Sequence, residues 1–308
     1  MLRFQTEQRT IEVAGATIGG QPGEFPTALA ATIFYEGHDI VRDMKKGEFD
    51  KKRAKELVAA HEAAAEETGN PALLHVFAAY PEAMETYLNF AADATTGPLL
   101  VDSPSLDVRL AGVRWALEAG AIDRIVYNSL NLTITDEEIE ALRASGVSCA
   151  IVLAFNPKDS GLNGRLKLLE DGADVTDAGL LDLASAAGIT KVLVDPAVTP
   201  IGNGAGVAVR TALAAKAKWG HPVGSGIHNA PASLPWLSDK DRKVKDCVDV
   251  ATNVLQVAMC ADYLLYGPIE HAPYVFPAVA VADAIVADAA QELGTDISKN
   301  RTFTELVG

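Results

Sequence analysis

Eight short apolar runs recur along the 308-residue chain. They span residues 27–34, 73–78, 98–101, 125–129, 149–155, 191–194, 223–227 and 263–266. Each is too short for a helix and is bounded by Gly, Pro, Asn or Asp, as buried strands are. Between them apolar residues return every three or four positions. Leu106, Leu110, Val113 and Leu117 form one such stripe, which Gly120 ends. Further helices are expected over 50–68, from Pro81 through Ala91, from Thr135 through Leu142, and over 178–187, 207–219, 248–260 and 275–293. Ser103 and Pro104 read as N-cap and first position of the helix after the third run. Thr135 and Glu138 read as a capping box.

The units keep a beat. Leu99, Ile125 and Ile151 stand at 26-residue intervals, the length of a strand, a helix and two loops. Eight strands, each followed by a helix, predict a closed (β/α)8 TIM barrel in one domain over residues 1–308. An open doubly wound sheet would carry a glycine fingerprint after its first strand, and none is present. Ahead of the barrel, 10–13 and 16–18 predict a β-hairpin across Ala14-Gly15, lying as a lid over one barrel end. Residues 156–177 break the beat and predict an inserted loop with a short helix.

Composition narrows the function. A net charge of −15 excludes nucleic acid and anionic membrane as natural partners. No signal peptide or membrane-length apolar run stands out. Three cysteines without ligand spacing fit a reduced, cytoplasmic protein. His38, His75, His228 and His271 are scattered, with no spacing that suggests a metal.

The chemistry collects at the carboxyl ends of the strands, the face where barrels bind ligands. Asp102, Asn128, Asn156, Asp195 and Asn229 stand there. Two carboxylates and three amides suit a flat, polar heterocycle. A carboxylate accepts two parallel hydrogen bonds from an amino-lactam edge, and an amide both donates and accepts. Pterins have such an edge. The same residues have plainer readings: Asp102 and Asp195 as caps, Asn128 as a turn amide, Asn229 as loop support. Gly204, within GNGAG at 202–206, brings backbone close to a planar ligand or cradles a phosphate.

The stretches GGQPGEFPT (19–27), VDSPS (101–105), RIVYNSLN (124–131), IVLAFN (151–156), AVTPIGNGAG (197–206), PVGSGIHN (222–229), YGPIE (266–270) and FPAVA (276–280) carry a resemblance that runs nearly end to end. The chain resembles the H subunit of tetrahydromethanopterin S-methyltransferase and the bacterial methyl-corrinoid:tetrahydrofolate methyltransferases, within the wider pterin-binding barrels. The resemblance implies a homodimer that binds a reduced pterin in the barrel mouth. It implies that Asp102, Asn128 and Asp195 hold the ring, with Asn156 as a further member. Asn229 would lie near the ring nitrogen that carries the methyl group and act in catalysis. It also implies a partner corrinoid protein, carrying cobalamin, docked over the same end. Tetrahydrofolate is the expected acceptor, since no membrane-anchoring feature stands out; a tetrahydromethanopterin-specific subunit is the alternative. A pterin synthase or lyase using GNGAG for phosphate, and a non-catalytic binding subunit, are the other readings.

Overall fold

The computed structural model describes residues 2–308. Eight parallel strands form the barrel: β3 (Ala28–Ile33), β6 (Ala72–Phe77), β7 (Leu99–Asp102), β8 (Ile125–Leu130), β9 (Cys149–Leu153), β10 (Lys191–Asp195), β11 (Gly224–Ser225) and β12 (Tyr263–Pro268). Their order around the sheet is β10-β9-β8-β7-β6-β3-β12-β11, and a parallel bridge between Val194 and Val223 joins the two ends. The expected (β/α)8 barrel is the fold.

Helices alternate with the strands. They are α1 (Lys51–Thr68), α2 (Pro81–Ala94), α3 (Leu106–Glu118), α4 (Asp136–Ser145), α5 (Leu162–Glu170), α6 (Leu180–Ala186), α7 (Ala205–Trp219), α8 (Pro235–Ser238), α9 (Arg242–Ala258), α10 (Ala272–Gln291) and α11 (Arg301–Val307). Asp50 caps α1 by accepting from the Arg53 N–H at 3.0 Å. The capping box at α4 forms by half. Thr135 accepts from the Glu138 N–H, but the Glu138 carboxylate turns inward and is buried. The Ser103 cap does not form: α3 starts after Ser105 without a side-chain cap, because residues 103–105 make a turn in which the Ser105 N–H donates to Ser103 Oγ. The loop 35–49 holds a small antiparallel pair, β4 (Val41–Asp43) with β5 (Glu48–Phe49), that the sequence pattern did not signal.

One stretch, Ile269–Gln291, is long and apolar enough to span a membrane, contrary to the sequence expectation. Half of its most apolar window is buried, and Val275, Phe276, Val279 and Val286 pack into the protein, so it serves here as a core helix.

Strand alternation builds the interior in layers. Ala28, Ala30, Leu73, Leu100, Val126, Ile151 and Leu193 form one apolar cluster with Ile11, Val13, Ala16 and Ile18. The last four belong to the hairpin of β1 (Thr10–Val13) and β2 (Ala16–Gly19), paired antiparallel. The hairpin therefore closes the end where the strands begin. Two residues further along, five of the strands turn polar, at Thr32, His75, Asp102, Asn128 and Asp195, while β9 keeps Leu153. Apolar below and polar above, the layers make the barrel a cup open at its carboxyl end.

Candidate functional site

Asp102 ends β7, and its register partners are Phe77 on one side and Asn128 on the other. Its Oδ2 lies 2.9 Å from His75 Nε2, and His75 Nδ1 lies 3.0 Å from Thr32 Oγ1. Three neighbouring strands thus share one hydrogen-bonded chain across the mouth. Asp102 does not cap α3; the imidazole takes that oxygen, and among the described residues Oδ1 makes no hydrogen bond.

Asn128 sits beside Asp102 at 8 % exposure. Among the described residues its amide makes no hydrogen bond, so its donors and its acceptor are left for a ligand. Asp195 closes the layer from β10. Its Oδ1 accepts from the Ala197 N–H at 2.7 Å. Burial pushes the carboxyl up to about 7, against the pull of that bond and of Arg165. Ligand-binding carboxyls are often held this way, in a site that desolvates them before a partner comes.

The other three sequence candidates lie elsewhere. Asn156 is buried in the loop after β9. Its Nδ2 donates to the Gly164 carbonyl, and its Oδ1 accepts from the N–H groups of Lys158 and Asp159. That commits most of the amide to its own loop. Gly204 precedes α7 with φ of +113°, and a Cβ there would lie 3.0 Å from Thr199 Oγ1 and 3.5 Å from Arg165 Nη2. A side chain would be strained at that φ. Asn229 ends a 3-10 turn, Ile227–Asn229, that replaces the end of the expected seventh strand; the strand itself keeps only Gly224 and Ser225. Asn229 is exposed at the rim and lines a cavity of about 390 Å³ with His228, Asp249 and His271.

Beneath the mouth runs a buried polar network that sequence spacing did not reveal. Arg109 on α3 donates through Nε to Tyr127 Oη at 2.8 Å, through Nη1 to the Ser103 carbonyl at 2.8 Å, and through Nη2 to Glu138 at 3.1 Å. Tyr127 Oη also donates to Glu138. Ser103 follows Asp102 and Tyr127 precedes Asn128, so one guanidinium ties the backbone beside Asp102 to the side chain beside Asn128. On the far side Arg165 holds the backbone under Asp195, with Nη1 donating to the carbonyls of Pro196 and Ala197 at 2.6 and 2.7 Å.

The same eight-stranded barrel is found in solved dihydropteroate synthases. Dihydropteroate synthase from Yersinia pestis with a sulfonamide drug complex aligns over 92 % of this chain and 100 % of that one, at a TM-score of 0.63 and 13 % identity. The Xanthomonas albilineans enzyme in complex with 7,8-dihydropteroate aligns at a TM-score of 0.59 and 16 % identity, over 90 % and 98 %. At such identity the likeness concerns the fold. Sequence relatives go further. The family described as tetrahydromethanopterin S-methyltransferase MtrH subunit matches residues 6–298. The H subunit of tetrahydromethanopterin S-methyltransferase from Methanothermobacter marburgensis is 46 % identical over the whole of both chains. The H subunit of the putative methyltransferase mtx from Methanosarcina barkeri is likewise 46 % identical over both whole chains. The chain belongs to the tetrahydromethanopterin S-methyltransferase MtrH family.

Proposed function

We propose that this chain binds a reduced pterin in the barrel mouth and holds its ring nitrogen in line for methyl exchange with a corrinoid carried by another protein. The observation that carries the reading is the upper layer of the barrel. Asp102 Oδ1, the Asn128 amide and Asp195 Oδ2 have no hydrogen-bond partner among the described residues, yet they sit on rigid strand ends with buried guanidinium groups beneath them. The two carboxylates accept the N–H groups of an amino-lactam edge, and Asn128 meets its carbonyl. Asn229, at the rim, faces the reacting end of the ring.

Such chemistry asks little covalent work of the protein. The chain orients the ring and excludes water, and alignment alone contributes several orders of magnitude. Tetrahydromethanopterin stands first as the pterin, because the matched family and relatives are named for it. Tetrahydrofolate, the acceptor expected from the sequence, stands second. The homodimer has its own support: Leu255 on α9 and Tyr274, Val281 and Ile285 on α10 are each more than half exposed, an apolar face on a strongly acidic protein.

The test is anaerobic. The protein is mixed with methylcob(III)alamin and either pterin, and the corrinoid spectrum is followed. Loss of the methyl–cobalt spectrum only with protein and pterin together is the expected result. Pterin binding without transfer, from free cofactor and from a methylated corrinoid protein, overturns the reading in favour of a binding subunit.

A further inference from the structure

The cavity beside Asn229 holds titratable groups that the ring-holding layer does not use. His228 Nδ1 lies 3.5 Å from Asp249 Oδ1, and His271 Nδ1 lies 3.0 Å from Asp249 Oδ2. One carboxylate on α9 therefore stands between two imidazoles, one from the turn after β11 and one from the turn after β12. The His228 ring rests on Gly267, whose φ is +102°; a Cβ there would lie 2.7 Å from Cε1 and 2.8 Å from Nδ1. The glycine is what lets the ring lie so close to the backbone. All three residues line the cavity with Asn229, and His271 also lines a second cavity further out with Tyr35, Arg242 and Glu270.

We propose that His228 is the proton acceptor for the methylated pterin nitrogen, with Asp249 setting its tautomer and His271 leading outward to solvent. This rests on the methyl-transfer reading above. A ring N–H nitrogen that attacks a methyl group forms an N–C bond as the carbon–cobalt bond breaks, and that electron pair leaves with the corrinoid. The nitrogen is left positively charged with one hydrogen too many. A base must take that proton, and in the reverse direction the same group returns it. Asn229 has no basic nitrogen. Asp249 is held below the usual carboxylate range, since hydrogen bonds from both imidazoles outweigh its burial. With Nδ1–H turned to Asp249, His228 keeps its Nε2 lone pair free to accept. The hydrogen bond to Asp249 in turn holds His271 above the ordinary histidine range, against its burial. The other charges facing the pair come from α9 and the β12 turn. Arg242 pairs with Asp246 at 3.2 Å, Lys245 Nζ donates to the Ser238 carbonyl, and Glu270 pairs with His38 at 2.8 Å. His271 Nε2 also lies 3.9 Å from Asp246 Oδ1, and among the described residues Asp249 is the one carboxylate within ion-pair distance of His228.

The test follows methyl transfer from methylcob(III)alamin to whichever pterin the native protein accepts, from about pH 5 to 9, in parallel with pterin affinity by calorimetry. At saturating pterin, which removes the contribution of Asp195 to binding, the native rate rises with pH along a single titration. His228→Gln lowers the plateau about 100-fold and flattens the profile, with affinity within about twofold, as for loss of a general base. Imidazole restores part of the rate to His228→Ala. Asp249→Ala lowers the plateau about tenfold, because nothing then holds the Nδ1–H tautomer that leaves Nε2 free to accept. Native rate and native profile in His228→Gln overturn the inference while leaving methyl transfer standing. A native protein that binds pterin and transfers nothing overturns both.

Discussion

Asp102 and His75 stand 27 residues apart in sequence and 2.9 Å apart across adjacent strands. Thr32 Oγ1, behind the imidazole at 3.0 Å, completes a brace that leaves one carboxylate oxygen committed and one free. A carboxylate so held has lost its rotamer freedom before a ligand arrives. His75→Phe is therefore expected to weaken pterin binding about tenfold, roughly the worth of one hydrogen bond to a charged group. Thr32→Val is expected to have a smaller effect in the same direction. Calorimetry on both variants checks the order.

Removing the ligand-facing carboxylate itself is more severe. Asp102→Ala is expected to lower pterin affinity on the order of 100-fold, since charge-assisted bonds contribute about 1.5–3 kcal/mol, and Asn128→Ala about tenfold, since a neutral bond contributes about 0.5–1.5 kcal/mol. Affinity within threefold of the native value in either variant rules that residue out of the site.

Asp195 sets a pH dependence with opposite signs for binding and for stability. Its carboxyl is pushed up to about 7 by burial, from an ordinary value near 3.8. Between those values the folded protein binds the proton more tightly than the unfolded chain does, so stability falls as pH rises through this window. Pterin binding needs the carboxylate as acceptor and strengthens as pH rises through about 7. Asp195→Asn is expected to stabilise the ligand-free protein at pH 8 by on the order of 2–4 kcal/mol, while abolishing tight binding. Thermal unfolding at pH 5 and pH 8, with and without pterin, separates the two effects. A destabilised Asn variant at pH 8 would contradict the account.

Asn229 differs from the other candidates in being exposed on a rim turn. On the methyl-transfer reading, where Asn229 meets the reacting end of the ring, Asn229→Ala is expected to lower turnover more than affinity. Turnover equal to native under pterin saturation is the result that removes it from catalysis.

The buried Arg109–Glu138–Tyr127 cluster makes a stability prediction. Glu138→Ala leaves the guanidinium buried with one partner fewer, and loss of one member of such a pair costs about 3–5 kcal/mol. The melting temperature is expected to drop by several degrees or more. Because Arg109 also holds the Ser103 carbonyl, pterin affinity is expected to fall in whatever fraction stays folded.

Where the sequence was legible, local chemistry agreed with tertiary packing. The strands announced themselves as apolar runs, and their alternation placed Asp102, Asn128 and Asp195 on one inward layer. Asn156 shows the limit of position alone. A strand-end amide looks the same whether it faces a ligand or ties up the Lys158 and Asp159 N–H groups of its own loop. The helix expected over 248–260 starts earlier, at Arg242, because the charged first turn with Arg242 and Lys243 carries no apolar stripe to mark it. The roles of His75, Asp249 and His271 were not legible for a different reason. Their partners are set by strand register and by the angle between turns, which no spacing within one segment encodes.

The hairpin packed into the strand-start end of the barrel has a kinetic consequence. With that end filled by Ile11, Val13, Ala16 and Ile18, the cup has its opening at the mouth. On the proposed methyl-transfer reading, a pterin arriving and a protein bearing a corrinoid would both use that opening. Whichever seats first controls access for the other, and only one sequence leads to reaction: pterin in, partner on, partner off, pterin out. Steady-state kinetics should then be compulsory-ordered, and excess corrinoid protein should inhibit by capping an empty cup.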